Sequence, residues 1–143
     1  MKRDDLIYLA AMIDAEGCID ARHRRSNNGY NPTLALEIQI GNTDERLILW
    51  LVRKFGGRVS TLEYSNPNHR DFHTWHLPIR SNRQVAEAVM PFMKLKRRQL
   101  KLALILADTA TASRGRGSRL HPSVITKRDR LVAEIARLKR DFQ

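Results

Sequence analysis

Cys18 is the single cysteine in this 143-residue chain. That excludes an intrachain disulfide and any zinc site built on cysteines. With one cysteine, the five histidines make no Cys/His zinc pattern. Cys18 follows the first helical pattern and has apolar neighbours, so it reads as a buried structural thiol. No apolar run approaches the ~20 residues of a membrane span. The opening Met1-Lys2-Arg3-Asp4-Asp5 runs straight into a helical pattern, without the apolar stretch of a signal peptide. The expectation is a reducing, intracellular location alongside nucleic acid, in a bacterial or archaeal cytoplasm or an organelle. Acidic residues are also scarce: 15 against 26 Lys and Arg, for a formal charge of +11. Such an excess favours a polyanionic partner. A hydrophobic content of 42% argues for one ordinary core and against disorder.

Periodicity supplies the elements. Leu6, Leu9 and Ile13, widened by Ile7 and Ala10, predict a helix over 4–15, started by Asp4 or Asp5 and stopped by Gly17. Cys18 to Arg25 then alternates, with Ile19 and Ala21 on one face and Asp20, Arg22 and Arg24 on the other. From Thr33 to Ile40, Leu34, Leu36, Ile38 and Ile40 oppose Thr33, Ala35, Glu37 and Gln39. Asn27-Asn28-Gly29 reads as the hairpin turn. Asn42-Thr43-Asp44 offers a cap for a second helix carrying Leu47, Leu51 and Phe55, closed by Gly56-Gly57. Two further strands, 58–64 and 72–79, flank a polar loop, with Trp75, Leu77 and Ile79 on one face and Thr74 and His76 on the other. A short helix capped by Ser81-Asn82 ends at Pro91, and a longer one covers 97–111. Residues 112–122 form a basic linker containing Arg114, Arg116 and Arg119, and a last helix spans 123–141 with Leu131, Ile135 and Leu138 in one stripe. The whole is an α+β domain of order αββαββα with additional C-terminal helices, in which the αββ pattern occurs twice.

The first helix ends Leu9-Ala10-Ala11-Met12-Ile13-Asp14-Ala15-Glu16-Gly17. This resembles the LAGLIDADG motif at six identical positions, with changes at Ala11, Met12 and Glu16. Pro91-Phe92-Met93-Lys94-Leu95-Lys96 is similar to a second segment of that homing endonuclease family, and Asn42-Thr43-Asp44 to a third. The resemblance covers nearly the whole chain and is to the single-motif branch. It implies a homodimer whose four-stranded antiparallel sheets form a DNA-binding saddle, and metal-dependent cleavage of both strands of a long pseudo-palindromic site, leaving short 3′ overhangs.

Glu16 is the candidate metal ligand, with adjoining Ala15. A carboxylate at a helix C-terminus is disfavoured by the helix dipole, and a hard cation such as Mg²⁺ or Mn²⁺ compensates it. The resemblance gives Glu16, Lys96, Asn42 and Arg46 catalytic roles: Lys96 near the scissile phosphate, Asn42 positioning solvent, Arg46 adding positive charge beside it. Small residues let helices pack closely, so Ala10 and Ala11, with Asp14 accepting hydrogen bonds across the seam, are the expected dimer contacts. The expected DNA-binding residues are Asp20, Arg22, Arg24, Thr33, Glu37, Gln39, Arg58, Ser60, Thr74 and His76, with Arg25, Asn27, Asn28, His69 and Arg70 at turn tips. Two alternatives stay open. One is a maturase that binds intron RNA, or a non-cleaving relative of the same fold. The other is an unrelated basic RNA- or ribosome-binding protein.

Overall fold

In the computed structural model, which describes residues 1–24, 31–110 and 119–141, the chain runs α1 (Arg3–Ala15), β1 (Cys18–Arg24), β2 (Thr33–Asn42), α2 (Glu45–Phe55), β3 (Arg58–Leu62), β4 (Phe72–Pro78), α3 (Arg83–Val89), a 3-10 turn (Met90–Phe92), α4 (Arg97–Asp108) and α5 (Pro122–Arg140). The expected turn Asn27-Asn28-Gly29, the tip residue Arg25 and the linker arginines Arg114 and Arg116 lie outside the described residues. Arg119 is exposed, while neighbouring Leu120 is buried and donates its backbone N–H to Asn31 Oδ1 at 2.8 Å. The last part of the expected linker is therefore packed against the start of β2. No helix among the described residues is long and apolar enough to cross a membrane.

The sheet has the order β1-β2-β4-β3, with every neighbouring pair antiparallel. The second strands of the two hairpins are therefore central, which joins the two αββ units edge to edge. Register sets the faces, because directly opposed residues point the same way. Ile19 faces Ile38 and Leu77, and Ile40 faces Trp75 and Val59. These side chains meet the helices. His23, opposite Leu34, belongs to the same inner face, and its Nδ1 lies 2.7 Å from Asp129 of α5.

Leu6, Leu9, Ala10 and Ile13 of α1 and Ile48, Leu51 and Phe55 of α2 are buried against this face. Trp75 is fully buried, and its indole N–H donates to Gly56 O at 2.8 Å. Gly57 adopts φ +89, tight against the His76 carbonyl, where a side chain has no room. Ile135 and Leu138 of α5 extend the core, and Arg128 holds the end of α4 through Thr109, Nε to Oγ1 at 2.9 Å and Nη2 to O at 2.8 Å.

Some local expectations change. Neither Asp4 nor Asp5 caps α1; Lys2 occupies the cap position without a side-chain bond, and Asp5 pairs with Lys54 at 3.0 Å. Asn82 does not cap α3 with its side chain, because its amide donates backwards to Pro78 O at 2.9 Å. β3 stops at Leu62 and α4 at Asp108, short of the periodic patterns.

Candidate active site

The end of α1 is held by two reciprocal sets of hydrogen bonds to the segment 93–96. Asp14 accepts the backbone N–H groups of Lys94, Leu95 and Lys96 at 2.5, 3.2 and 2.9 Å. In return Lys96 Nζ donates to the carbonyls of Ile13, Asp14 and Gly17 at 2.9, 2.9 and 2.8 Å. The ammonium thus uses all three donors on carbonyls at and just beyond the end of α1. Burial pushes the Lys96 pKa down, and Asp14 and Cys18 counter this in part. The chain then leaves the helix by folding back on itself: a Cβ at Gly17 would sit 2.7 Å from Ile13 Cα. Only glycine permits that approach.

Asp14 thus spends its carboxylate within the chain, on the backbone of 94–96. The expected place of Ala10 changes. It is 1% exposed and belongs to the chain's own core, so it offers no surface to a second copy. The outward side of α1 carries Ile7, Tyr8, Ala11 and Ala15 instead, with Ile7 and Tyr8 among the exposed large apolar residues.

Glu16 follows α1 at the C-cap position and is exposed, as is Ala15. The Ala15 carbonyl is passed over by Lys96 and has no hydrogen-bond donor among the described residues. A carboxylate and a backbone carbonyl are hard oxygen donors of the kind Mg²⁺ takes. No group of three or more His, Cys, Asp or Glu capable of holding a metal occurs among the described residues. These two donors therefore fit a cation only as part of a shell completed from outside the chain.

A cavity of about 400 Å³ adjoins this corner, lined by Asp14, Ala15, Gly17, Cys18, Lys96, Gln99 and Lys139 among others. Gln99 is 2% exposed, and its Nε2 has no partner among the described residues. Cys18 is half-exposed rather than buried, since register pairs it with Gln39 on the outer face. Lys139 of α5 reaches Asp20 at 3.6 Å. The sequence patterns gave no sign of Gln99 or Lys139 at this corner.

Asn42 and Arg46 lie at the start of α2. β2 runs three residues past the β1 partner Gln39 to reach Asn42, so Asn42 is at the same end of the sheet as Glu16. Its Oδ1 accepts the Asp44 N–H at 2.8 Å, and Asp44 caps α2 by accepting the Arg46 N–H at 3.0 Å. The Arg46 guanidinium folds onto Asp44 at 2.6 Å, while its side chain remains 90% exposed. Hydrogen bonds from Arg46 hold the Asp44 carboxyl down at about 2, and Asp44 raises Arg46 in turn.

Register places Asp20, Arg22, Arg24, Thr33, Glu37, Gln39, Arg58, Ser60, Thr74 and His76 together on the outer face of the sheet. They are not equally available. Arg22 pairs with Asp20 at 2.7 Å yet stays 45% exposed, whereas Glu37 and His76 are largely covered by each other and their neighbours. Periodicity also failed to single out two apolar members of this face. Leu62 and Phe72, opposed in register and exposed, lie at its end, the Phe72 ring directly over Gly41. His69 and Arg70 sit on the exposed β3–β4 loop, as expected for tip residues.

No family profile and no curated protein sequence matches the chain. Solved structures do. The homing endonuclease I-CvuI, in complex with a DNA target, gives a TM-score of 0.75 at 19% identity, covering 95% of this chain and 82% of that one. An archaeal intron-encoded homing endonuclease, I-Vdi141I, complexed with DNA, gives 0.76 at 16% identity, covering 96% and 86%. The LAGLIDADG homing endonuclease I-SmaMI, bound to cleaved DNA, gives 0.71 at 15% identity, covering 90% of this chain but 43% of its own. The chain has the LAGLIDADG homing endonuclease fold.

Proposed function

We propose that this chain is a site-specific DNA endonuclease. It acts as a two-fold pair inside the cell and cleaves both strands of a long pseudo-palindromic double-stranded site, leaving short 3′ overhangs. The observation that carries this reading is the exposed Glu16, fixed at the end of α1 by the Asp14–Lys96 clamp and lying beside the outer face of the sheet. The formal charge of +11 suits a polyanion. The apolar outward side of α1 suits a second copy, which would bring a second Glu16 to the same place. I-SmaMI supports two units per nuclease, since this chain matches less than half of it.

Glu16, with the Ala15 carbonyl, would hold Mg²⁺ or Mn²⁺, completed by the second copy, phosphate oxygens and water. Such a cation, when bound, lowers the pKa of water and stabilises charge on phosphate oxygens. The chain's own residues do the rest. The outer face fixes the register of the DNA through Arg22, Arg24 and Arg58. Lys96 holds α1 so that Glu16 projects, and its half-buried charge would favour an anionic transition state formed beside it. Asn42 and Arg46 are held at the same end of the sheet, where Asn42 Nδ2, without a partner among the described residues, would orient solvent and Arg46 would add positive charge.

The test is cleavage of a randomised double-stranded library in Mg²⁺, followed by Glu16→Gln. Wild type should cut a subset at one staggered position, and Glu16→Gln should bind that subset and leave it whole. Cutting at wild-type rate by the variant would refute the assignment. A non-cleaving relative would bind DNA equally well with or without Mg²⁺ and cut neither way. Ala11→Arg should convert a sedimenting pair into monomers and abolish cutting; an unaltered pair would rule out the α1 contact.

A further inference from the structure

The middle of the outer face holds a carboxylate, Glu37, and a carboxylate pressed toward DNA is repelled by phosphates. As a base reader it would have to accept from a cytosine amino group. Its geometry leaves little for that. Oε1 accepts from Arg58 Nη2 at 2.9 Å; Oε2 accepts from Gln39 Nε2 at 3.2 Å and lies 3.0 Å from His76 Nδ1. His76 Nε2 is in turn 2.7 Å from Ser60 Oγ. Five side chains from β2, β3 and β4 are thus one network, and the Glu37 side chain is 14% exposed within it. Burial pushes its carboxyl up, but hydrogen bonds from Gln39, His76 and Arg58 and the charge of Arg58 hold it below 4.5, so it stays ionised.

Gln39, His76 and Arg58 form one cross-strand row. At about 4.8 Å per strand, the row is roughly 10 Å long. Arg58 alone stands clear of the surface, 56% exposed, with one amino group anchored and the rest of its guanidinium making no other hydrogen bond among the described residues. An arginine free to rotate would turn toward the nearest phosphate, which carries no sequence information. Anchored at one corner, its remaining N–H groups keep the fork that matches two acceptors in one plane.

We propose that Glu37 is a positioning residue that holds Arg58 in the orientation for reading a guanine edge in the major groove, with Gln39 fixed beside it. The proposal rests on the reading that the outer face of the sheet lies on DNA. Glu37 itself touches no base. Its role is to set one specific contact per half-site before binding, which lowers the ordering cost of that contact and denies Arg58 to the backbone.

The experiment is selection by binding, without Mg²⁺, from a randomised double-stranded oligonucleotide library, for wild type, Glu37→Ala, Glu37→Gln, Arg58→Ala and the double variant Glu37→Ala/Arg58→Ala. Wild type should enrich a motif with a fixed guanine in each half. Arg58→Ala should lose about tenfold or more of that preference. Glu37→Ala should flatten the same position while other positions and the salt dependence of binding hold. The double variant should lose no more than Arg58→Ala alone, the mark of two residues acting as a unit. Glu37→Gln, which keeps an acceptor for Arg58, should recover part of the preference. A guanine position left sharp by Glu37→Ala overturns the proposal, as does a loss spread evenly over the motif, which would mean a scaffold role. A wild-type protein that enriches no motif would overturn the DNA reading itself, and this proposal with it.

Discussion

Replacing Asp14 by Ala removes the acceptor for three backbone N–H groups at once. A hydrogen bond to a charged group contributes about 1.5–3 kcal/mol where water cannot replace it. The Lys94 and Leu95 donors are exposed and regain most of that from solvent, whereas the Lys96 donor is half-buried. The sum is about 2–3 kcal/mol, a large part of the 5–15 kcal/mol typical of whole domains. For a chain of this size it corresponds to a drop of about 5–10 °C in Tm. Asp14→Asn keeps one acceptor oxygen and should lose about half as much. The assay is urea denaturation of wild type and both variants at one protein concentration, since self-association would shift apparent stability. The outer face of the sheet is untouched, so DNA affinity should survive while cutting falls with the loosened Glu16. An Asp14→Ala protein within about 0.5 kcal/mol of wild type would refute the clamp as a structural element.

Other consequences are simpler to read. Gly57→Ala places a Cβ against the His76 carbonyl at a positive φ, and should cost about 2–4 kcal/mol in the same denaturation assay. Glu37 has a folded pKa below its ordinary 4.5, so its stabilisation is complete above that pH and is lost as pH falls through the folded value. The stability gap between wild type and Glu37→Gln should therefore be full at neutral pH and should narrow at pH values below 4.5, measured by urea melts across the range. Binding to DNA should weaken by about a thousandfold between 50 and 200 mM salt if about six phosphates are neutralised, read by fluorescence titration; a flat response would contradict a phosphate-dominated interface.

Elements and faces were legible in the sequence because they depend on local periodicity. Strand alternation placed all ten expected outer-face residues correctly, since a period of two fixes the face once one residue is known to be inside. The same alternation puts His23 with Ile19 and Ala21, a signal that was available. So was the fate of Ala10: it completes the stripe of Leu6, Leu9 and Ile13, and a residue on the stripe that faces the core cannot also face a second copy. What periodicity cannot carry is partnership across the chain. Asp14 meets backbone groups 80 residues away, and Lys96 meets carbonyls just as distant. Neither contact leaves a pattern near its own position. The same holds for Lys139 at the cavity beside α1 and for the four partners of the network around Glu37.

The two halves of the clamp answer one electrostatic problem. The C-terminus of α1 carries roughly half a negative charge from its unsatisfied carbonyls. Glu16 adds a full one at the same place, and the sequence supplies no basic residue in the last turn to offset it. Lys96 comes from another part of the chain to do so, committing all three of its donors to carbonyls. It therefore has no N–H left to place on a phosphate unless it first gives up a carbonyl of α1. The cavity beside it also holds the Gln99 Nε2, which has no partner among the described residues. The arrangement neutralises the helix end while leaving the Glu16 carboxylate and the Ala15 carbonyl outside the clamp. No donor among the described residues competes for these oxygens, which suits them to share a cation with a phosphate.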